Sequence, residues 1–298
     1  MPLELPLEMS VFGQVELDLL NRKFYAAMMK LTSLSLQFSK NTKYLKYLAQ
    51  ALRAIGDQSA LIKTLKELNR QQPEIKVEIE IMELLYKNAH INEALDMGLA
   101  LQEKKLTDPQ RNSVYLTLIK IYIEENDFEG VQEILDQGAN QIQKSDFISW
   151  AQGLVFLSHN DKNQALLYFR KAIQLNDRND QAWVSLALVH HDMGDEELAL
   201  GNLERALDCN PLNNAAVKMY SQWSIKKTEK AQRALESVRF YLSEQAFDEE
   251  ISVCHVQLLC RLQFWGTAQE EMHKLILTHP QNLSYVEMKK NLAPHLNL

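Results

Sequence analysis

The sequence predicts an all-α fold, a solenoid in which antiparallel helix pairs stack one upon another. Gly (9) and Pro (7) are both scarce among the 298 residues, which favours long helices joined by short turns. Small and apolar residues return in the same order every 34 residues, a period typical of helical repeats. The chain is 46% hydrophobic and 24% charged, as in an ordinary globular protein. These observations define the fold class before any element is placed.

The repeat is clearest in three consecutive stretches of 34 residues: 112–145, 146–179 and 180–213. Small or apolar residues occupy the eighth place (Ile119, Gly153, Ala187), the twentieth (Val131, Ala165, Ala199) and the twenty-seventh (Gly138, Ala172, Ala206). Larger apolar residues occupy the twenty-fourth (Leu135, Phe169, Leu203), and a polar turn, "END", "HND" or "MGD", separates the two halves. Small side chains at a crossing let two helices approach to the short end of the range of about 8–10 Å. One pair cannot bury its apolar stripe alone, so neighbouring pairs must stack.

The other repeats keep this spacing with fewer of the marker residues. We place them, in chain order, at 8–41, 42–75, 75–108, 214–248 and 249–282. A terminal helix at 283–293 is expected to cover the apolar face of the last pair. We therefore predict one solenoid over residues 1–298. Residues 1–7, which contain two prolines, are expected to be disordered or to form an extended arm.

The 180–213 copy resembles the tetratricopeptide repeat. Residues stand where that family places its Trp, Leu, small residues and Pro: Trp183, Leu186, Ala187, Ala199, Ala206 and Pro211. His190 replaces the usual Tyr of the family, and Leu203 replaces its usual Phe. The resemblance implies a right-handed superhelix whose first helices line a concave groove. It also implies a scaffold or adaptor that binds a peptide or an amphipathic helix of a partner protein in that groove.

Carried over place by place, the resemblance predicts thirteen groove residues in two groups. Those nearer the amino end are largely cationic: Lys43, Lys46, Tyr47, Arg53 and Lys120. Those in later repeats are mainly apolar or aromatic: Phe147, Trp150, Leu154, Val184, Leu188, His191, Tyr220 and Trp223. Such a groove suits a hydrophobic partner with an acidic end. Two alternatives stay open, since Trp150 could be the packing Trp of its repeat and the lysines could be solvated surface.

The stretch "HHDMGDEE", residues 190–197, is the strongest candidate for chemistry. One interpretation is a metal site of a His-Asp phosphohydrolase, for which His159 and Asp208 would have to supply further ligands. The alternative is structural: a helix ends, Gly194 stops it, Asp195 caps the next helix, and Glu196 and Glu197 complement that helix's dipole. Adjacent histidines project about 100° apart on a helix and cannot easily share an ion. We therefore predict no catalytic residue, no metal, no cofactor and no enzyme activity.

Composition limits the remaining partners and compartments. The net charge of −7 and the lack of a basic arm argue against nucleic acid. No run approaches the roughly 18 apolar residues of a membrane span, and "MPLELPLEMS" lacks the features of a secretory signal. Three cysteines without C-x-x-C spacing favour a reducing compartment, so we expect a cytoplasmic protein. A sensor of a small signalling molecule or peptide is the alternative function, and the oligomeric state is left open.

Overall fold

The structure, a computed structural model, describes residues 7–138, 144–245, 247–292 and 294. The described residues form α-helices and turns without any strand, so the predicted all-α class is confirmed. Of the arm predicted at 1–7, residues 1–6 lie outside the described residues, and Leu7 begins the first helix. The helices are α1 (Leu7–Leu20), α2 (Phe24–Phe38), α3 (Thr42–Ile55), α4 (Gln58–Gln71), α5 (Ile75–Lys87), α6 (Ile91–Gln102), α7 (Asp108–Glu124), α8 (Phe128–Gln137), α9 (Asp146–Ser158), α10 (Lys162–Leu175), α11 (Asp180–Asp192), α12 (Glu196–Cys209), α13 (Asn214–Ser224), α14 (Thr228–Glu244), α15 (Glu249–Arg261), α16 (Trp265–Thr278) and α17 (Leu283–Leu292).

The chain divides into two compact units, residues 1–143 and residues 144–298. The first unit contains α1–α8 and the second contains α9–α17. Within each unit the two helices of a pair pack together, and the second helix of a pair packs on the first helix of the next. First helices also pack on one another, α1 on α3 and α5 on α7 in the first unit, α9 on α11 and α13 on α15 in the second. This is the packing of an α-solenoid.

The turn between the two helices of a pair adopts the same backbone conformation in several repeats. The residue before the cap of the second helix adopts a left-handed conformation, with φ of 88° at Gly56, 57° at Asn126, 60° at Asn160 and 83° at Gly194. Glycine tolerates this conformation because it has no Cβ, and Asn tolerates it better than most residues do. An aspartate follows each of them and caps the second helix: Asp57, Asp127, Asp161 and Asp195. The polar turns seen in the sequence are therefore a left-handed residue followed by a helix cap.

In the second unit, an asparagine connects one helix pair to the next through hydrogen bonds. Asn213 accepts a hydrogen bond from the Ala216 amide (2.9 Å) and so caps α13. Its Nδ2 also donates to Asp180 Oδ2 (2.7 Å), at the start of α11. Asn179 makes the same two bonds one repeat earlier, with Ala182 and Asp146. One side chain thus both begins a helix and ties it to the preceding pair.

Close helix crossings depend on small residues, as the repeat predicts. A Cβ atom added at Gly153 of α9 would lie 2.4 Å from the ring of Phe169 on α10. Phe169 is fully buried. In this repeat, the ring at the twenty-fourth place therefore occupies the space that a side chain at the eighth place would need.

Candidate partner-binding surface

In the first unit, two predicted groove residues join neighbouring first helices. Arg53 of α3 donates from Nε and Nη2 to the two carboxylate oxygens of Glu80 on α5, at 2.7 and 3.0 Å. Tyr47 of α3 donates its hydroxyl to Glu16 of α1 at 2.9 Å. Burial, together with this bond to Glu16, raises the pKa of the Tyr47 hydroxyl. Both side chains therefore already hold an acidic partner within the unit.

The three predicted lysines of the first unit are exposed. The Nζ atom of Lys43 lies 5.8 Å from the ring centre of Phe12 and 5.6 Å from that of Tyr47, within the range of a cation–π contact. Lys46 donates to the side-chain oxygen of Gln72 at 3.1 Å, and Lys120 lies on α7. Lys43 and Lys46 form no ion pair with an acidic residue in the described part of the chain.

In the second unit, Trp150 combines core packing with exposure. The half-buried indole packs against the cluster that contains Phe169 and Leu186. Its Nε1 donates to Ser185 Oγ on α11 at 2.9 Å. The ring of Phe147 lies 5.8 Å from the ring of Trp150. Both interpretations of Trp150 thus have a structural basis, because one side of the indole supports the core and the rest is accessible.

Leu154 and Leu188 continue this surface on α9 and α11. They occupy the ninth place of consecutive repeats, and the two helices pack together. Leu154 is half-buried, whereas Leu188 is 40% exposed. A large apolar side chain this exposed on a first helix is available for contact with a partner.

His191 and Trp223 form a stacked ring pair beside these residues. Their rings stack with centroids 3.9 Å apart and planes 11° from parallel, joining α11 to α13. A small cavity of about 120 Å³ lies beside them, and its other lining residues are Glu196, Leu200, Gln222 and Lys226. We call the six accessible residues Phe147, Trp150, Leu154, Leu188, His191 and Trp223 the aromatic surface.

The prediction that Val184 and Tyr220 line the groove is wrong. Val184 is 5% exposed and Tyr220 is fully buried, and both belong to the core cluster that also contains Val217. The fifth place of α11 is covered because Val184 lies in a core cluster that includes residues of α13 and α14. Tyr220 lies one turn after Val217, so its ring points into the core on the same face of α13. Neither side chain can contact a partner.

The hydroxyl of Tyr220 instead belongs to an internal polar network. It donates to Glu204 at 2.6 Å, and Glu204 also accepts from Lys230 at 2.6 Å and pairs with Arg233 at 3.2 Å. Burial raises the pKa of the Glu204 carboxyl, but the bonds from Lys230 and Tyr220 outweigh it, so the net shift is downwards. No pattern in the sequence indicates this network, which links α12, α13 and α14.

The second unit also contains a larger cavity, which the sequence does not predict. It measures about 610 Å³ and is lined by Ile225, Val256, Gln257, Cys260, Arg261, Trp265, Met272, Met288 and Leu292. Arg261 at its edge donates to the backbone carbonyls of Ile225 (2.9 Å) and Lys226 (3.4 Å). Most of its walls are apolar, and they come from segments that are far apart in sequence. No spacing in one helix could have signalled it.

The structural interpretation of "HHDMGDEE" is confirmed. The helix α11 ends at Asp192, Gly194 is left-handed, and the side chain of Asp195 caps α12 through the Leu198 amide at 3.1 Å. His190 is buried at 8% exposure, where burial lowers its pKa. His191 stacks on Trp223. In the described part of the chain no three His, Cys, Asp or Glu side chains are grouped so that they could hold a metal ion.

These features define the class of the protein as an α-helical repeat protein with an aromatic surface on its first helices. None of the helices in the described ranges combines the length and apolar character needed to cross a bilayer. No protein-family model matches the chain.

Solved structures define the fold more closely. A tetratricopeptide repeat protein from Parabacteroides merdae aligns over 85% of this chain and 98% of its own, with TM-score 0.56 and 13% identity. The Cut9 and Hcn1 hetero-tetramer of the APC/C gives TM-score 0.59 at 13% identity, over 90% of this chain and 52% of that one. PilF of Pseudomonas aeruginosa gives TM-score 0.56 at 15% identity, over 73% and 97%. The chain therefore has the tetratricopeptide-repeat fold, and the resemblance seen in the sequence is confirmed.

One curated human protein also matches in sequence. Protein O-mannosyl-transferase TMTC3 is 29% identical over 149 residues, which cover 47% of this chain. The match spans only 16% of the length of the human protein.

Proposed function

We propose that this protein is an interaction scaffold or adaptor whose aromatic surface binds a peptide or an amphipathic helix of a partner protein. The observation that supports this is the row of half-buried and exposed apolar side chains on three first helices of the second unit. Such helices normally cover apolar side chains with a neighbouring pair. Apolar and aromatic side chains left accessible beside polar ones are typical of recognition surfaces.

The chemistry of the surface favours a helix or an extended segment with large apolar side chains. Trp150 and the stacked His191 and Trp223 are already held by neighbouring residues, so binding would cost them little side-chain entropy. Held aromatic side chains of this kind are the usual energetic centres of interfaces, each worth about 2 kcal/mol or more. Independently of the aromatic surface, Lys43 and Lys46 of the first unit are exposed cations that an acidic segment of a partner could contact.

The other functions have less support. A small-molecule sensor would need a polar pocket with several convergent donors, whereas the cavity of about 610 Å³ in the second unit is mainly apolar. A His-Asp phosphohydrolase would need four metal ligands, and His190 is part of the core. We therefore propose a non-enzymatic role. The three cysteines are free thiols, which supports a reducing compartment such as the cytoplasm.

Leu188 is the best position for a test, because its side chain is 40% exposed on a first helix. Trp150 is less suitable because its replacement would also remove the bond to Ser185 and core packing. A photo-cross-linking amino acid placed at position 188 in the source cell should capture one protein species. The same amino acid at position 198 is the matched control, since Leu198 is 49% exposed on the second helix α12.

The captured segment should then be synthesised and titrated against purified protein by calorimetry. We expect Leu188→Glu to weaken its binding about tenfold or more, and Leu198→Glu to leave it unchanged. Equal cross-linking from both positions, or equal affinity of the Leu188→Glu variant and the wild type, would contradict the proposal.

A further inference from the structure

A second surface lies on the first unit, in a part of the chain with an unusual charge pattern. Between Asn21 and Gly56 the sequence contains no Asp or Glu, although the whole chain has a net charge of −7. The same segment contains the basic residues Arg22, Lys23, Lys30, Lys40, Lys43, Lys46 and Arg53. It forms α2 and α3. The segment is therefore basic within an acidic protein.

The outer face of α2 is also apolar where the same faces of α4 and α8 are polar. Tyr25, Met29 and Leu36 are 74%, 77% and 96% exposed. One repeat later, in α4, the same places hold Ser59, Lys63 and Arg70. In α8 the first two of these places hold Glu129 and Glu133. The exposed side of α2 thus departs from the pattern of these later second helices.

The three side chains form one row. At about 100° per residue, positions 25, 29 and 36 fall within about 40° of each other around the helix. At about 1.5 Å per residue the row is about 16 Å long, or three turns. Two hydroxyls on the same side are already satisfied by their own helix, since Thr32 donates to the Met28 carbonyl and Ser33 to the Lys30 carbonyl. A partner could cover these two hydroxyls without leaving either of them unpaired.

Cations stand at both ends of the row. Arg22 and Lys23 precede α2 and Lys40 follows it, and all three are exposed. None of them pairs with an acidic side chain within the described ranges. Lys30, in contrast, is paired with Asp18 of α1 at 2.6 Å. Two of the cationic positions thus flank the start of the apolar row and one flanks its end.

We propose that the outer face of α2, defined by Tyr25, Met29 and Leu36, binds an amphipathic helix of a partner protein that has acidic residues at both ends. Three turns of apolar contact match the length of the row, and the acidic ends complement the cations. A second copy fits poorly, because a twofold pairing of α2 would place Arg22 and Lys23 beside Lys40 of the other copy. A bilayer with anionic headgroups is distinguished from a partner helix by sedimentation with lipid vesicles.

The experiment uses a labelled helical peptide with three turns of leucine on one face and two glutamates at each end. Its binding to the full chain is measured by fluorescence anisotropy. A peptide of the same leucine pattern with lysine ends is compared. We expect the glutamate peptide to bind at least about tenfold more tightly than the lysine peptide, with an affinity that falls as salt rises.

Two variants of the protein locate the site. Tyr25→Ser/Met29→Gln/Leu36→Gln should weaken binding of the glutamate peptide about tenfold or more, while Lys23→Gln/Lys40→Gln should weaken it and reduce its salt dependence. Leu167→Gln is the matched control, since Leu167 is 58% exposed in the same place of α10 as Met29 in α2, and it should bind like the wild type. The five positions changed in these two variants are all exposed, so circular dichroism should show unchanged helix content.

Several results would overturn the proposal. These are no binding of the glutamate peptide by the wild type, equal binding by the triple variant, or equal binding of the lysine peptide. Sedimentation of the wild type, but not the triple variant, with vesicles of phosphatidylserine and phosphatidylcholine in the absence of peptide binding would assign the face to a membrane instead. The Leu188→Glu variant should bind the glutamate peptide normally, which separates this surface from the aromatic surface.

Discussion

At the scale of single residues, the second unit contains a buried histidine that destabilises the fold. His255 of α15 is buried, and neither of its ring nitrogens has a hydrogen-bond partner among the residues that the structure describes. Its Nδ1 lies 4.0 Å from Glu271, which would favour the charged ring, but burial has the larger effect and lowers the His255 pKa. The imidazole is therefore held neutral in a place that does not satisfy it.

This arrangement predicts a pH-dependent stability. An unfolded histidine binds a proton below a pKa of about 6.5, whereas folded His255 resists protonation. The unfolded state therefore gains protons first, and the stability present above that pH is lost as the pH falls. His255→Leu should raise the free energy of unfolding by about 1 kcal/mol at pH 7.5 and by more at pH 5.5. Urea denaturation at both values measures this.

A matched histidine provides the control. His273→Gln on the exposed side of α16 should leave the difference between the two pH values as it is in the wild type. If His255→Leu shows the same loss of stability between pH 7.5 and pH 5.5 as the wild type, the interpretation of His255 is wrong.

The residue scale also shows where sequence reasoning succeeds and fails. Spacing alone predicts small residues at a helix crossing, and Gly153 does lie at one, against the ring of Phe169. Val184 and Tyr220 were predicted for the groove but lie in the core. Periodicity indicates which face of a helix is apolar, but whether a neighbouring pair covers that face depends on the stacking.

At the scale of elements, the second unit repeats a joint made by asparagine. Asn213 caps α13 and also binds Asp180 at the start of α11. Asp161 caps α10 through the Gln164 amide at 3.0 Å and is exposed. The two caps therefore differ in whether they also bind another pair.

We expect the two caps to differ in energy. Asp161→Ala should cost about 1 kcal/mol, the usual value of a cap. Asn213→Ala should cost about 1–2 kcal/mol more, because the carboxylate of Asp180 loses one of its donors. Urea denaturation of both variants compares them, and equal losses would show that the bond to Asp180 contributes nothing to stability.

At the scale of the whole molecule, each compact unit has its own packed interior. In residues 144–298 the largest cluster includes buried residues from α11 to α17, such as Leu203, Tyr220, Val238, Leu258 and Met272. Such contacts are internal to the unit, and helical repeats derive their stability from contacts with neighbouring repeats. We therefore expect the second unit to fold on contacts of its own.

This predicts that a fragment of residues 144–298 folds without the rest of the chain. Its circular dichroism should show predominantly helical structure, and urea should unfold it in a cooperative transition. A fragment with little helix, or one that unfolds gradually, would show that its stability depends on residues 1–143.

The sequence by itself determined the fold class, the period of 34 residues and the turn chemistry, because these depend on local propensity and on the spacing of small residues along one chain. It also placed Trp150, Leu188 and His191 on first helices, where the structure leaves them partly or largely accessible. Only the tertiary structure decided that Val184 and Tyr220 are core and that His191 stacks on Trp223. It alone brought together the cavity beside Ile225 and showed α2 exposing its apolar row between cations. The physical reason is that burial and pairing depend on which helix packs against which, and that packing is set by side chains far apart in sequence.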